Sequence, residues 1–263
     1  MPTERFHLGA TEILVGEDLD ETIRIAAGQF AALARQLTAS KRMMTAALAG
    51  GNTPRRLYSA LAAAPFSDIV PWQGIHFFWG DERDVPPTHE ESNYRAASDR
   101  MLSRVAVPAA HTHRIPTGDT TAVEAAELYQ RTLAAYVPAT QGLPRLDYCL
   151  LGLGEDGHTA SLFPGRPTLA ESTRTVVADH IAERGWRVSL TVPVINNAAQ
   201  ITFLVTGQAK AEIVARILQG TEDFVSEATQ PPARLPAQLI TPRDGHLTWI
   251  LDAEAASLLR RPS

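Results

Sequence analysis

Two acids and a histidine fall within four residues, directly after an apolar segment of the sequence. Residues 148–153 predict a buried strand, and Glu155, Asp156 and His158 follow it in a glycine-rich turn. Open α/β sheets bind ligands at the carboxyl ends of their strands, which places these side chains at a predicted site. An unperturbed histidine is largely neutral near pH 7 and can accept a proton from water. His158 is therefore a candidate general base, with its ring oriented by Asp156 or by Asp81 from another segment.

A second polar turn follows the apolar segment 75–79, which also predicts a buried strand. Four charged residues leave this strand in succession: Asp81, Glu82, Arg83 and Asp84. Such a charge run is usually a solvated loop. Its position after a strand supports a second interpretation, in which it meets the histidine turn at one edge of the sheet. Asp81 and Arg83 are the candidate site residues in this turn.

A third turn has the composition of a phosphate-binding junction between a strand and a helix. The apolar segment 43–49 predicts the strand, and it is followed by Gly50, Gly51, Asn52, Thr53 and Pro54. Thr53 suits the N-cap of a helix and Pro54 its first position. Backbone N–H groups and the helix dipole at such a start favour phosphate. The alternative is a capped connection without a ligand; the nucleotide P-loop is excluded because its Gly-Lys-Ser/Thr ending is absent.

Two further cations are candidates for neutralising a phosphate. Arg187 alternates with Ser189 and Thr191 along a predicted strand, so these three side chains share one polar face. Lys210 falls in the first turn of a predicted helix, where the helix dipole disfavours a positive charge. An anion beside Lys210 would explain its position, and a solvated lysine is the alternative.

A dinucleotide site is a competing interpretation of the glycine turn. Its fingerprint would be Gly152, Gly154 and Gly157, with Asp179 as the ribose-binding acid. Residues 164–165, Pro-Gly, would end the required helix after about two turns, and the two acids of the turn would repel a pyrophosphate. The dinucleotide interpretation is therefore disfavoured.

Two other reactive-residue interpretations are also disfavoured. A metal site at His111 and His113 lacks a third ligand at a suitable spacing. Cys149, the only cysteine, lies in an apolar segment and is predicted to be buried rather than nucleophilic.

The composition is that of an ordinary globular protein. Hydrophobic residues make up 44% of the 263 residues and charged residues 20%. The net charge of −5 disfavours general binding to nucleic acid or to acidic membranes. One cysteine excludes an intrachain disulfide, and neither a signal peptide nor a membrane-spanning apolar run is apparent. We therefore expect a cytoplasmic protein.

Strands and helices alternate through most of the sequence. Further strands are predicted over 12–15, 113–116, 174–178, 187–191, 201–205 and 247–251, and helices over 18–38, 92–102, 120–136, 206–218 and 252–259. This alternation predicts an α/β fold, a Rossmann-like three-layer arrangement with a mostly parallel sheet covered by helices on both faces. No shift in composition marks a linker, so a single domain over 1–263 is expected.

Four segments carry a resemblance to a known family. They are residues 49–54 (Ala-Gly-Gly-Asn-Thr-Pro), 79–83 (Trp-Gly-Asp-Glu-Arg), 152–164 (Gly-Leu-Gly-Glu-Asp-Gly-His-Thr-Ala-Ser-Leu-Phe-Pro) and 206–211 (Thr-Gly-Gln-Ala-Lys-Ala). Together and in this order they resemble the 6-phosphogluconolactonase family, and the third segment is the most specific. The resemblance implies hydrolysis of 6-phosphoglucono-1,5-lactone to 6-phosphogluconate in the oxidative pentose phosphate pathway.

The resemblance also implies roles for the candidate residues. They are His158, Asp81, Arg83 and Asp156 for catalysis, and Gly50, Gly51, Asn52, Thr53, Arg187 and Lys210 for binding the phosphate. His158 would activate water, and Arg83 would hold either the substrate or the developing negative charge. A lactone is an activated ester, so no metal or organic cofactor is expected. The expected partner is a small sugar-phosphate lactone, bound by a monomer or a weak homo-oligomer.

Two related functions remain as alternatives. The glucosamine-6-phosphate isomerase/deaminases share this fold, but they usually carry a tyrosine where Arg83 stands and an Asn-Glu-Pro ending where 161–164 reads Ser-Leu-Phe-Pro. These departures favour the lactonase. A non-catalytic sugar-phosphate sensor would carry a helix-turn-helix module, which the early first strand and the acidic charge disfavour.

Overall fold

The protein is described here by a computed structural model that covers residues 3–40, 42–220 and 234–262. Its strands are β1 Glu4–Leu8, β2 Thr11–Gly16, β3 Met44–Leu48, β4 Ile75–Trp79, β5 Asp81–Arg83, β6 Ala139–Thr140, β7 Leu143–Pro144, β8 Tyr148–Leu151, β9 Val176–Ile181, β10 Gly185–Leu190, β11 Gln200–Val205 and β12 His246–Asp252. Its α-helices are α1 Leu19–Ala39, α2 Asn52–Leu61, α3 Phe66–Ile69, α4 Asn93–Ala97, α5 Ala122–Tyr136, α6 Val192–Asn196 and α7 Ala211–Gln219. Within these ranges no helix is both long and apolar enough to cross a membrane.

The main sheet has seven strands in the order β1-β2-β12-β11-β8-β3-β4. Every neighbouring pair is parallel except β1 with β2, which is antiparallel. Helices flank this sheet, so the predicted Rossmann-like α/β class is confirmed. Because the strands run in parallel, the turns that follow β3, β4, β8 and β11 emerge at one edge.

Burial explains why the central strands form where the apolar segments predict them. All residues of β3 and β8 are buried, as expected for parallel strands covered on both faces. Helix α1 begins after Asp18, whose side chain accepts a hydrogen bond from Glu21 N–H, and it buries Phe30 against the sheet. The Phe30 ring lies 5.3 Å from the Tyr148 ring, edge to face. This packing holds the strand that precedes the histidine turn.

Gly80 joins the main sheet to a second, antiparallel sheet of order β5-β10-β9. Its N–H donates to Leu48 O at 2.9 Å, and its carbonyl accepts from Leu190 N–H at 2.8 Å. The chain therefore runs straight from β4 into β5, where Asp81 pairs with Ser189 and Arg83 with Arg187. The small sheet thus holds two candidate residues at the carboxyl edge of the large one.

The structure corrects several element predictions. Helix α2 begins at Asn52 after Gly51, so Thr53 is not its N-cap and Pro54 is its third residue. The predicted strand 113–116 is reduced to a bridge between Thr112 and Phe77. The predicted helix 252–259 is a series of turns, in which Ser257 N–H donates to Glu254 O and Leu259 N–H to Ala256 O, three residues back rather than four. Strand β1 was not predicted.

Candidate active site

A cleft of about 250 Å³ opens at the carboxyl ends of β3, β4 and β8. The candidate residues that line it are Gly50, Gly51, Asp81, Arg83, His158 and Lys210. They come from four separate segments, three turns and the strand β5, which meet at one edge of the sheet as predicted. The other four candidates, Asn52, Thr53, Asp156 and Arg187, do not line the cleft themselves.

His158 is held by its own turn. Asp156 Oδ1 accepts hydrogen bonds from the ring Nδ1 and, at 3.1 Å, from the backbone N–H of His158. An ionised carboxylate only accepts, so Nδ1 carries the proton and Nε2 keeps its lone pair. In the part of the chain that the structure describes, no group bonds to Nε2. Phe163 stacks on the ring, with 4.4 Å between centroids.

Asp156 is ionised, which suits a residue that orients the His158 ring. Partial burial opposes its ionisation, but hydrogen bonds from His158 and the positive charge of Arg184 outweigh that effect and lower the pKa of Asp156. The acid is therefore a carboxylate near neutral pH and can orient the imidazole. Of the two acids proposed to orient His158, the structure pairs Asp156 with it.

Gly154 makes the histidine turn possible. A Cβ at this position would lie 2.0 Å from His158 Nδ1 and 2.6 Å from Asp156 Oδ1, so only glycine leaves room for the pair. The Gly154 N–H also donates to the His158 carbonyl at 2.9 Å, which closes the turn. Beyond the histidine, Thr159 Oγ1 donates to Gly152 O at 2.9 Å and anchors the turn to the end of β8.

Asp81 faces the cleft as a fixed acceptor. Its side chain is buried, and Ser161 Oγ donates to Oδ2 at 2.6 Å. Asn93 Nδ2 donates to the Asp81 carbonyl at 2.9 Å and lies 3.4 Å from Oδ1. Ser189 Oγ accepts from the Ser161 N–H at 3.3 Å and supports the arrangement from β10. Asp81 is thus suited to hold a substrate hydroxyl.

The charge run 81–84 is not a solvated loop, since its first three residues form β5. Glu82 is 1% exposed, and its carboxylate accepts from Ser92 Oγ and from the N–H groups of Asn93, Tyr94 and Arg83, all within 3.0 Å. Burial raises the pKa of Glu82, and the three backbone donors oppose that shift. These bonds join β5 to the start of α4 and fix the strand that carries Asp81 and Arg83.

Arg83 and Arg187 lie side by side on paired strands. Arg83 lines the cleft and donates to the Glu91 carbonyl. Burial and the adjacent Arg83 lower the pKa of Arg187, because each favours loss of its charge. Two neighbouring guanidinium groups form a site for an anion.

The turn 50–53 presents backbone rather than side chains to the cleft. A Cβ at Gly50 would lie 1.8 Å from Asn93 Oδ1, so glycine is required for the close approach of α4. Gly51 has φ of 105° and starts α2 without a side-chain cap. Asn52 lines an adjoining cavity that shares Gly51 and Arg83 with the cleft. Thr53 Oγ1 lies 2.8 Å from Thr206 Oγ1, which links this turn to the segment that leads to Lys210.

Lys210 lies directly before α7 and lines the cleft. Its Nζ lies 3.7 Å from Glu155 Oε1, and its side chain is 23% exposed. The pair is loose, because Glu155 is largely exposed and water screens the interaction. A phosphate can therefore compete with Glu155 for the ammonium group.

The structure does not support a dinucleotide site in the glycine turn. No helix begins within the described residues 152–166. Asp179, the proposed ribose-binding acid, accepts from Arg166 Nε at 2.9 Å and from Thr168 Oγ1 at 3.3 Å. Its acceptor positions are thus occupied within the protein.

Three residues that shape the site were missed in the sequence analysis. Ser161 lies within the most specific segment, three residues after His158, and that spacing could have pointed to it. Asn93 was interpreted only as the start of a helix. Arg184, which lies 3.7 Å from Asp156 Oδ2, falls in a hairpin turn with no recognisable pattern.

Comparison with known proteins shows extensive similarity. Residues 17–249 match the sequence model of the family described as glucosamine-6-phosphate isomerases/6-phosphogluconolactonase. A 6-phosphogluconolactonase of Synechocystis sp. is 41% identical over 217 residues, which is 82% of this chain and 85% of that protein. The solved structure of 6-phosphogluconolactonase from Trypanosoma brucei is 29% identical with a TM-score of 0.82, covering 94% of this chain and 98% of that one.

A deaminase structure shares the fold as well. A monomeric glucosamine-6-phosphate deaminase superposes with a TM-score of 0.75, covering 94% of this chain and 99% of that one, at 21% identity. At that identity the likeness is one of fold alone. The arrangement around His158 and the relatives at higher identity both favour an ester hydrolase.

Proposed function

Because this chain belongs to the glucosamine-6-phosphate isomerase/6-phosphogluconolactonase family, we propose that it hydrolyses 6-phospho-D-glucono-1,5-lactone to 6-phospho-D-gluconate. The reaction belongs to the oxidative pentose phosphate pathway. The observation that carries this proposal is His158, bonded to Asp156 through Nδ1 and lining a cleft that also contains Arg83 and Lys210.

His158 acts as the general base. Its Nε2 takes a proton from water, and the water oxygen attacks the lactone carbonyl carbon to form a tetrahedral oxyanion. The bond to the ring oxygen then breaks, and the imidazolium returns its proton to that oxygen as it becomes a hydroxyl. Asp156 stabilises the imidazolium between these two transfers. General-base assistance of this kind typically contributes about 10²–10⁴-fold to the rate.

The phosphate end of the substrate is held away from the reacting carbon. The phosphate would rest on the turn 50–53, where the uncapped start of α2 favours negative charge. Lys210 and Arg187 supply positive charge. Arg83 lies between the two ends and holds either the substrate or the oxyanion, while Asp81 accepts a sugar hydroxyl. Anchoring at a distance positions the lactone without a covalent intermediate.

The proposal extends to the context of the reaction. The whole chain, 1–263, acts as one catalytic domain and needs no metal or organic cofactor. It works in the cytoplasm as a monomer or weak homo-oligomer, without nucleic acid or membrane as partner. The net charge of −5 and the single buried cysteine are consistent with these statements.

A coupled or pH-stat assay on freshly prepared lactone tests the function, with the spontaneous rate subtracted. We expect His158→Ala to lower kcat by about a hundredfold or more, because it removes the base. Binding of 6-phosphogluconate should remain close to that of the wild type. His246→Ala, at an exposed position, is the matched control.

Two results would reject parts of this proposal. Full lactonase activity in His158→Ala would remove this residue from the chemistry. Release of ammonia from glucosamine 6-phosphate, without lactone hydrolysis by the wild type, would identify a deaminase instead.

A further inference from the structure

Arg184 lies outside the cleft, in the hairpin turn between β9 and β10. Its N–H donates to Ile181 O at 3.1 Å, which closes the turn. The side chain reaches back over the histidine turn, where its guanidinium carbon lies 5.0 Å from the centroid of the Phe163 ring. Its NH2 group lies 3.7 Å from Asp156 Oδ2. One arginine therefore contacts two residues that hold His158.

The two contacts reach His158 through different groups. Asp156 binds the ring nitrogen Nδ1, and Phe163 stacks on the ring face. The Arg184 side chain approaches Oδ2 of the carboxylate, whereas Oδ1 accepts from His158. We propose that Arg184 is a positioning residue of the catalytic histidine, because its guanidinium group contacts both the Asp156 carboxylate and the Phe163 ring that hold the imidazole. This inference rests on the proposed function, because it concerns the same site.

The positive charge of Arg184 should affect the acidic limb of the pH–activity profile in one direction. A positive charge next to Asp156 offsets part of the attraction between that carboxylate and an imidazolium. Removing the charge should stabilise the imidazolium and shift the acidic limb of the activity profile to higher pH.

Other charged groups also face His158. Asp81 and Arg83 line the cleft from β5, and Lys210 lines it with Glu155 nearby. All four are retained in every variant described below. The difference between variants therefore reports the charge at residue 184.

The experiment compares Arg184→Gln, Arg184→Lys and the wild type by the pH dependence of kcat/KM. In Arg184→Gln we expect kcat to fall by about three- to tenfold, and the acidic limb to move up by about half a pH unit. Arg184→Lys should keep the limb near its wild-type position, because the charge remains. Arg174→Gln is the matched control, since it removes an exposed arginine that pairs with Glu171 instead.

Titration of His158 by NMR in the free protein provides a readout that does not depend on turnover. The midpoint should rise by about half a pH unit in Arg184→Gln and stay in place in Arg174→Gln. If the wild type lacked lactonase activity, the proposed function would fail while this titration still tested the role of Arg184. An unchanged midpoint in Arg184→Gln, or an equal rise in Arg174→Gln, would overturn the proposal.

Discussion

The position of the His158 imidazole depends on a residue without a side chain. His158 and Asp156 fold back over Gly154, and their contact fills the space that a Cβ would occupy. The hydrogen bond that sets the tautomer of His158 therefore requires glycine two residues before the acid. A loss of this space should affect the reaction more than the fold, because the turn lies at the rim of the cleft.

Gly154→Ala tests this dependence. The added methyl group would push the His158 ring off Asp156, since it would lie 2.0 Å from Nδ1. We expect kcat to fall by at least about tenfold, as part of the general-base contribution is lost. The melting temperature should change little. The measurement is a steady-state lactonase assay beside thermal unfolding.

Gly28→Ala is the control for the added methyl group. No atom lies within 4 Å of a Cβ at Gly28, which lies within α1, so activity should be unchanged. Wild-type activity in Gly154→Ala would show that the imidazole can work without its bond to Asp156.

At the residue scale, the sequence located the site but not all of its contacts. The turns that follow apolar segments identified His158, Asp81 and Arg83, because parallel strands end at one edge. The choice between Asp156 and Asp81 as the partner of His158 stayed open, since it depends on how the Gly154 turn closes. The bond from Ser161 to Asp81 was also beyond the sequence, because it joins residues 80 positions apart.

At the element scale, the small sheet decides how the site is built. Strand β5 carries charged residues that are uncommon in strands, so local propensity predicts a loop. Pairing with β10 and the capping of α4 by Glu82 override that propensity. Neither contact is local, which explains why the strand was missed while the adjoining apolar strand β4 was predicted.

Three histidines form a cluster at the edge strand β4: His76 lies in the strand, and His111 and His113 pack against it. His76 Nδ1 lies 2.8 Å from His113 Nε2, and the rings of His76 and His111 lie 4.2 Å apart. Tyr136 at the end of α5 packs on His113 at 4.1 Å between centroids. Among the described residues, no group of three histidine, cysteine or acidic side chains is arranged to hold a metal ion. The three histidine rings and Tyr136 pack against one another.

This cluster should make the fold sensitive to acid. Burial, followed by the charges of His76 and His111, lowers the pKa of His113 to about 4. In the unfolded chain, His113 takes up a proton from about pH 6.5 downwards. In the folded chain, it does so only near pH 4. Neutral His113 therefore leaves the free energy of unfolding at its full value above about pH 6.5. This free energy falls progressively as the pH drops toward 4. The loss amounts to at most about 3 kcal/mol.

Urea unfolding between pH 7.5 and 4.5 measures this loss. We expect His113→Gln to flatten the fall in the free energy of unfolding with decreasing pH, because the variant has one proton fewer to take up on unfolding. His7→Gln, at an exposed position on β1, should follow the wild-type pH dependence. Parallel curves for His113→Gln and the wild type would show that His113 does not govern acid sensitivity.

At the scale of the whole molecule, the cleft draws on turns that are distant in the sequence. The turns after β3, β4, β8 and β11 each contribute a charged or backbone donor group, and contacts such as Thr53 with Thr206 connect them directly. The mostly parallel sheet was predictable from the alternation of strands and helices, whereas its strand order was not. The second sheet was not predictable, because the strand β5 was missed. It pairs with the β9–β10 hairpin, which lies about 100 residues later in the sequence.

A ligand that bridges these turns should stabilise the entire fold. At 100 times its Kd, 6-phosphogluconate adds about 2.7 kcal/mol to the free energy of unfolding, which raises the melting temperature by roughly 5 °C. Lys210→Ala should lose about half of this effect at the same concentration if its Kd rises about tenfold. Arg131→Ala, which removes a cation that does not line the cleft, should keep the full shift. Thermal unfolding with gluconate, which has no phosphate, is the control for the ligand. An equal shift of the melting temperature with gluconate, or with 6-phosphogluconate in Lys210→Ala, would show that the phosphate does not bind at Lys210.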